Sequence, residues 1–157
     1  MLMLPDGTKM FESLPILNYV GAVHGLRPTD PLTAYKGDKA IARIMDDYFN
    51  KRLLPAVSGD DKEAIKNAVV DEHIKLMQDL TTKCLTDDHK FICGDTLTVA
   101  DFVCGGFYFN IVLNPRNKRK ELWTEGWKEA PERMKKYVQE FGVAMSSYLK
   151  DRPKCEF

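Results

Sequence analysis

The sequence predicts a mainly α-helical fold, a helical bundle preceded by a β-hairpin and one further helix. Two apolar runs around Pro5-Asp6-Gly7 open the chain, a pattern typical of a hairpin. After residue 32, apolar residues recur at three- and four-residue steps, which indicates helices, and no further strand pattern follows. The 157 residues, 44% of them hydrophobic and 29% charged, fit one compact domain or one domain with part of another.

The N-terminal segment is predicted as strand, turn, strand and helix. The strands are Met1–Leu4 and Lys9–Phe11, and the helix begins with Ser13 as its N-cap and ends near Gly25. A two-stranded hairpin is not stable alone in water, so it needs a sheet to join. Residues 26–32 contain two prolines and are predicted to be a linker at a domain boundary.

The rest of the chain is predicted to be helical. The first long helix covers 38–54, with Ile41, Ile44, Met45, Tyr48 and Phe49 facing inward and Pro55 ending it. The second starts at Asp60-Asp61 and ends before Asp87-Asp88, with Ile65, Val69, His73, Leu76, Met77 and Leu80 inward. A third runs from 98 to about 113. Residues 116–127 are polar and irregular, with a short helix as the alternative, and the last helices cover 131–141 and 143–149.

Charge and hydropathy exclude several classes of protein. The 23 basic and 23 acidic residues cancel, so no net field favours nucleic acid or an anionic membrane. The basic run 116–120 is the local exception. We interpret it as a solvated loop, with a nucleic-acid or acidic protein partner as the less favoured alternative. The most apolar stretch, 102–113, is about 12 residues long, which suits a core helix and not a membrane span.

The four cysteines, Cys84, Cys93, Cys104 and Cys155, form no Cys-x-x-Cys pair, and no histidine lies at ligand spacing from them. The sequence therefore predicts no metal site. Free thiols in apolar runs indicate a reducing compartment, and we expect the cytoplasm.

The segment Phe91–Phe102 carries the most specific pattern in the chain. Thr98 and Asp101 are predicted to form a capping box at the start of a helix. The string from Gly94 to Phe102 also closely resembles the Gly-Asp-x-Leu-Thr-x-Ala-Asp-Phe pattern of glutathione transferases, where it nucleates the buried central helix of the C-terminal domain.

Two further stretches resemble the same family in the right order. Residues 4–20 look like the last hairpin and third helix of its thioredoxin-like domain, and residues 133–138 and 148–153 look like its C-terminal helices. The resemblance implies that 1–26 is the C-terminal part of the thioredoxin-like domain. It also implies that 33–157 is the all-helical C-terminal domain of a glutathione transferase fold.

The resemblance implies where glutathione would bind. Glu12 and Ser13 match the positions that hold its γ-glutamyl end, and a helix N-terminus with a hydroxyl suits that carboxylate. From the residues alone, Ser13 is only an N-cap and Glu12 only a solvated charge, so both interpretations stay open. Asp47 matches an aspartate that in some classes reaches the partner subunit's glutathione, although an exposed helix residue is the favoured interpretation. The resemblance implies no catalytic residue, metal or cofactor in this chain. Glutathione is the ligand or co-substrate to test.

Two hypotheses of function follow. If Met1 is the native start, the catalytic first strand is absent, and we expect a non-catalytic assembly or scaffold subunit whose exposed hairpin is covered by a protein partner or a second copy. The alternative is a glutathione transferase that conjugates glutathione to electrophiles, with the N-terminal strands supplied upstream or by a partner chain. Whether the chain is an enzyme stays open.

The aromatic residues near the C-terminus are predicted to pack in the core or an interface and not to form a substrate pocket. These residues are Trp123, Trp127, Tyr137 and Tyr148.

Overall fold

The computed structural model describes residues 1–86 and 89–153, and it is mainly helical with one two-stranded antiparallel sheet. Strands β1 (Leu2–Met3) and β2 (Lys9–Met10) pair with Leu2 opposite Met10, which confirms the predicted hairpin. Gly7 in the turn has φ 88, a conformation that glycine adopts without steric cost. Cys155 and the Asp87-Asp88 pair lie outside the described residues.

Nine α-helices and three π-helical stretches follow in the part of the chain that the structure describes. The α-helices are α1 (Ser13–Val23), α2 (Pro31–Ala42), α3 (Leu54–Val57), α4 (Lys62–Lys66), α5 (Glu72–Lys83), α6 (Val99–Phe107), α7 (Lys120–Lys128), α8 (Glu132–Ala144) and α9 (Ser146–Asp151). The π-helical stretches are π1 (Arg43–Leu53), π2 (Asn67–Asp71) and π3 (Tyr108–Val112). Because helical dihedrals continue across each junction, residues 31–57, 62–83 and 99–112 form three unbroken helical segments.

Helix α1 begins differently from the prediction. Ser13 is its first helical residue, and Glu12 holds the N-cap position with φ 67 and ψ 126. The prediction that Ser13 is the N-cap is therefore wrong by one residue, because the chain enters the helix through the unusual backbone of Glu12.

The first long helical segment is longer at both ends than predicted. It begins at Pro31, not at residue 38, and Asp30 caps it by accepting from Thr33 N at 2.8 Å. A proline fits there, since the first N–H of a helix has no intrahelical partner. The predicted linker 26–32 therefore ends at Asp30.

Pro55 does not end this helical segment, which continues to Val57. Leu54 N still bonds five residues back to Phe49 O, whereas Ser58 N bonds four residues back to Leu54 O at 3.1 Å. The absent N–H of Pro55 thus falls where the bonding register changes from π to α, so the proline is accommodated.

The C-terminal third is more regular than predicted. Residues 120–128 form helix α7 and bury Trp123, which agrees with the alternative of a short helix in this otherwise irregular segment. The break between the last helices lies at Met145 and not at Gly142, which is inside α8. A Cβ at Gly142 would lie 2.8 Å from the ring of Phe109, so this glycine permits a close helix contact.

The core lies between the three long helical segments, α7 and α8. The inward faces predicted for the two long helices are confirmed at the buried residues Ile41, Ile44, Tyr48, Val69, His73, Leu76, Met77 and Leu80. The segment after α1 is tied to this body, because Val99 N donates to Leu26 O at 2.9 Å. Arg27 also forms a two-pronged ion pair with Asp38, at 2.9 and 2.8 Å.

Helix α6 begins in the predicted capping box, which is confirmed. Oδ2 of Asp101 accepts from the backbone N–H and the hydroxyl of Thr98, both at 2.9 Å. Oδ1 accepts from Ile92 N at 3.0 Å and from the hydroxyl of Tyr137 at 3.2 Å. Burial raises the pKa of Asp101, although these hydrogen bonds oppose the shift. The carboxyl group therefore joins the 91–94 turn, α6 and α8.

Candidate functional site

The turn into α1 holds two of the three predicted glutathione-binding residues. Glu12 is the one non-glycine residue with positive φ in the part of the chain that the structure describes. Such a conformation costs about 1–3 kcal/mol, and residues that hold it cluster at active sites and ligand-binding sites. The Glu12 side chain makes no capping hydrogen bond, and both Glu12 and Ser13 are exposed to solvent.

The N-terminus of α1 has the electrostatics of an anion site. The N–H groups of Ser13 and Leu14 have no intrahelical acceptor, Pro15 has no N–H, and no acidic residue lies in the first turn. The Ser13 hydroxyl stands beside these donors. Chemically, this arrangement can hold a carboxylate, which is the group that the resemblance assigns to it.

Asp47 lies on π1, in different surroundings. Its carboxylate accepts from Lys51 Nζ at 2.8 Å and from Arg43 Nη1 at 3.2 Å, and the Lys51 hydrogen bond is the main cause of its lowered pKa. It lines an open cleft of about 240 Å³ whose other walls come from π1 and α5. The cleft contains no residue of the hairpin or α1, so the structure does not join Asp47 to Glu12 and Ser13 there. All three assignments stay predictions.

The buried cysteines and tyrosines are not placed to activate a bound thiol. A group that stabilises a thiolate must reach the sulfur, either as a hydrogen-bond donor or as a positive charge. Five of these side chains are buried, so a bound thiol cannot reach them: Cys84, Cys104, Tyr48, Tyr108 and Tyr137. Burial also raises the pKa of these five groups and of the half-buried Cys93.

An aromatic cavity of about 290 Å³ lies between α6, π3, α8 and α9, and the sequence analysis did not predict it. Phe102, Phe109 and Phe141 form its walls, and Arg152 stands at its side. The Arg152 guanidinium donates to the side-chain oxygen of Asn110 and to the carbonyl of Phe109. The sequence predicted one helix over residues 98 to about 113, but not that α9 folds back beside it. Tyr148, predicted to pack in the core or an interface, lies at this cavity and is 60% exposed.

His73 is a buried polar residue whose environment the sequence did not show. It packs among the rings of Tyr48, Phe107, Tyr108 and Trp123 at centroid distances of 5.2–6.3 Å. Neither ring nitrogen has a hydrogen-bond partner within the described residues, and burial lowers the pKa of His73 to about 3. The imidazole is therefore neutral at physiological pH.

In residues 1–86 and 89–153, no group of three or more His, Cys, Asp or Glu side chains is placed to hold a metal ion. Within the same residues, none of the helices is long and apolar enough to cross a bilayer.

No protein-family model, curated protein or solved structure matches this chain. The resemblance to glutathione transferases therefore rests on the residues quoted above.

Proposed function

We propose that this chain is a non-catalytic assembly subunit with a glutathione transferase-like architecture. Residues 1–26 are then the C-terminal part of a thioredoxin-like unit, and residues 33–157 are the all-helical unit. The buried helix that follows the capping box supports the family assignment, since the resemblance implies such a helix at this position.

The exposed apolar surface of the N-terminal segment carries the assembly proposal. Met1, Met3 and Phe11 lie in or beside the sheet of two described strands, and Val23 ends α1; all four are 60–75% exposed. Unpaired strand edges beside exposed apolar side chains favour association. A protein partner or a second copy that covers this surface would pair the strand edges and bury the apolar side chains.

A second candidate function is glutathione conjugation, favoured by one specific observation. The strained backbone of Glu12 precedes a helix whose first N–H groups are free and next to an exposed hydroxyl. This arrangement suits the γ-glutamyl carboxylate, whereas the described cysteines and buried tyrosines supply no thiol-activating group. We therefore rank the second candidate below the first.

Assembly through the hairpin is tested by sedimentation of the full chain. We expect the wild-type protein to self-associate, and we expect a variant with Met3→Glu and Phe11→Glu to be monomeric because both charges lie on the exposed apolar surface. Tyr35→Glu is the matched control, since Tyr35 is equally exposed but lies on α2. A strictly monomeric wild-type chain would contradict assembly with a second copy.

Catalysis is tested by conjugation of glutathione to an aryl halide. We expect the background rate for the wild-type protein and for Ser13→Ala alike. Turnover above background that Ser13→Ala lowers about tenfold, a loss of about 1.4 kcal/mol of transition-state stabilisation, would favour the second candidate instead. Ser147→Ala, an exposed serine on α9, is the control.

A further inference from the structure

The loop between π3 and α7, residues 114–119, is held rigidly by two buried asparagines. Asn117 is 6% exposed, donates to the carbonyl of Ile111 at 3.0 Å, and accepts from Arg119 N at 2.8 Å. Asn114 donates to a carbonyl of π3 at 2.9 Å and accepts from Arg116 N at 3.0 Å. The loop is therefore preorganised, so a ligand does not have to order it on binding.

An apolar cavity of about 190 Å³ opens beside this loop. Its apolar wall consists of Phe49, Leu53, Leu54, Val57, Ile111 and Trp123. Arg119 closes one side and donates to Val57 O at 3.2 Å, which fastens the loop to the end of α3. Leu54 is 45% exposed.

The volume of the cavity limits what it can take. Pockets for cofactors and other free small molecules are about 300–1,000 Å³, so this cavity is too small for most of them. It suits one apolar side chain of a larger ligand.

The chain is basic on either side of Arg119, which lines the cavity. Lys118 is exposed and has no ion-pair partner within the described residues. The ammonium group of Lys120 lies 3.8 Å from Glu121, an exposed pair that contributes little. Charge complementarity therefore favours acidic groups on the ligand.

We propose that this cavity and the loop at 114–119 form a docking site for an acidic peptide segment of a partner protein, with one apolar side chain inserted beside Trp123. The inference rests on the proposed assembly function and names the chemistry of a partner. The phosphates of a nucleic acid would form ion pairs with the lysines, but a nucleic acid would leave the apolar cavity unfilled. A peptide is therefore the better ligand.

The test measures the fluorescence anisotropy of a short labelled peptide in which glutamates flank one central leucine. We expect saturable binding to the full chain that is about tenfold weaker, or about 1.4 kcal/mol, when alanine replaces the leucine. Lys118→Glu with Lys120→Glu, and separately Leu54→Asp, should each weaken binding about tenfold or more. Lys136→Glu with Lys150→Glu changes net charge equally on α8 and α9 and should leave binding unchanged.

Absence of saturable binding, or equal affinity for the leucine and alanine peptides, would overturn the inference. So would preferential binding of a single-stranded oligonucleotide that depends on Lys118. The variant with Met3→Glu and Phe11→Glu should bind the peptide normally, which separates this site from the hairpin surface. If the wild-type protein self-associates through the hairpin surface but does not bind the peptide, only this inference is wrong. If the protein binds the peptide but also conjugates glutathione, only the proposed non-catalytic function is wrong.

Discussion

At the scale of single residues, His73 shows how burial sets the charge state of a side chain. The ring is fully buried among four aromatic side chains, and its two nitrogens lack partners within the described residues. A buried imidazolium with no acceptor is very costly, so the folded protein keeps the ring neutral.

This environment predicts a specific loss of stability in acid. The folded pKa of His73 is about 3 and the unfolded value is 6.5, so the unfolded chain binds a proton that the folded protein does not as pH falls below 6.5. We expect the wild-type protein to lose about 2 kcal/mol through this group between pH 7 and pH 5. Urea unfolding at several pH values measures the loss.

The variant His73→Leu should lack this component and be at least as stable at pH 7, since it removes two unpartnered nitrogens. The exposed His24 provides the control, and His24→Leu should keep the wild-type pH dependence. Parallel pH profiles for wild type and His73→Leu would show that the ring is protonated in the folded state.

Residue burial was partly predictable from the sequence, but residue environment was not. The helical periodicity placed His73 on the inward face, and the structure confirms it. The partners of its ring come from π1, α6, π3 and α7, which are distant in sequence. Likewise, the positive φ of Glu12 occurs without a glycine, so no local pattern indicates it.

At the scale of elements, α6 packs closely on α8. A Cβ at Gly105 would overlap the ring of Phe141, whereas a Cβ at the neighbouring Gly106 would lie 3.8 Å from Asn110 Nδ2, an ordinary van der Waals contact. The two adjacent glycines of one helix thus have opposite surroundings.

Alanine substitutions at these glycines should have opposite effects. Gly105→Ala should lower the free energy of unfolding by about 1–3 kcal/mol through overpacking. Gly106→Ala should raise it by about 0.5–1 kcal/mol, because alanine loses less backbone entropy than glycine in a helix. Urea unfolding compares them, and a similar gain in both variants would be incompatible with this helix contact.

Helices with a strong apolar pattern were predicted more accurately than helices with a weak one. The segments 62–83 and 99–112 have long uninterrupted periodicity and a capping signal, and they were predicted closely. Helix α7 is short, charged and interrupted by Gly126, so its pattern was weak. A Cβ at Gly126 would lie 3.3 Å from His73 Nδ1, so this glycine reflects tertiary packing and not a turn.

At the scale of the whole molecule, the N-terminal segment is attached to the helical body by few polar contacts. Arg27 donates to Asn18 of α1 at 2.6 Å and also to Asp38 of α2. One guanidinium group therefore links α1 to the first long helical segment.

Removal of this link should loosen α1 without unfolding the core. Arg27→Ala should lower the free energy of local opening of α1 by about 1 kcal/mol, a value discounted for the partial exposure of the pair. Native-state hydrogen exchange should therefore speed up for α1 amides and stay unchanged in α5 and α6. Arg43→Ala breaks ion pairs inside the helical body and should leave α1 exchange unchanged, and equal protection of α1 in Arg27→Ala would refute the link.

The whole-molecule arrangement was the least predictable from the sequence. Local chemistry indicated the hairpin turn and the capping box, since both depend on residues within a few positions of each other. The cavity beside Trp123 joins α3 to a loop 62 residues later, so only the folded chain brings its walls together.

The bonds of Asp101 also bear on how the protein is synthesised. Its carboxyl group joins residues 92 and 98, which precede it in the chain, to Tyr137, which is translated 36 residues after Asp101. The buried carboxyl group has its full set of partners only after α8 has been made. While α6 has emerged from the ribosome and α8 has not, the apolar side chains of α6 lack this packing partner, and chaperone contact is expected during that interval.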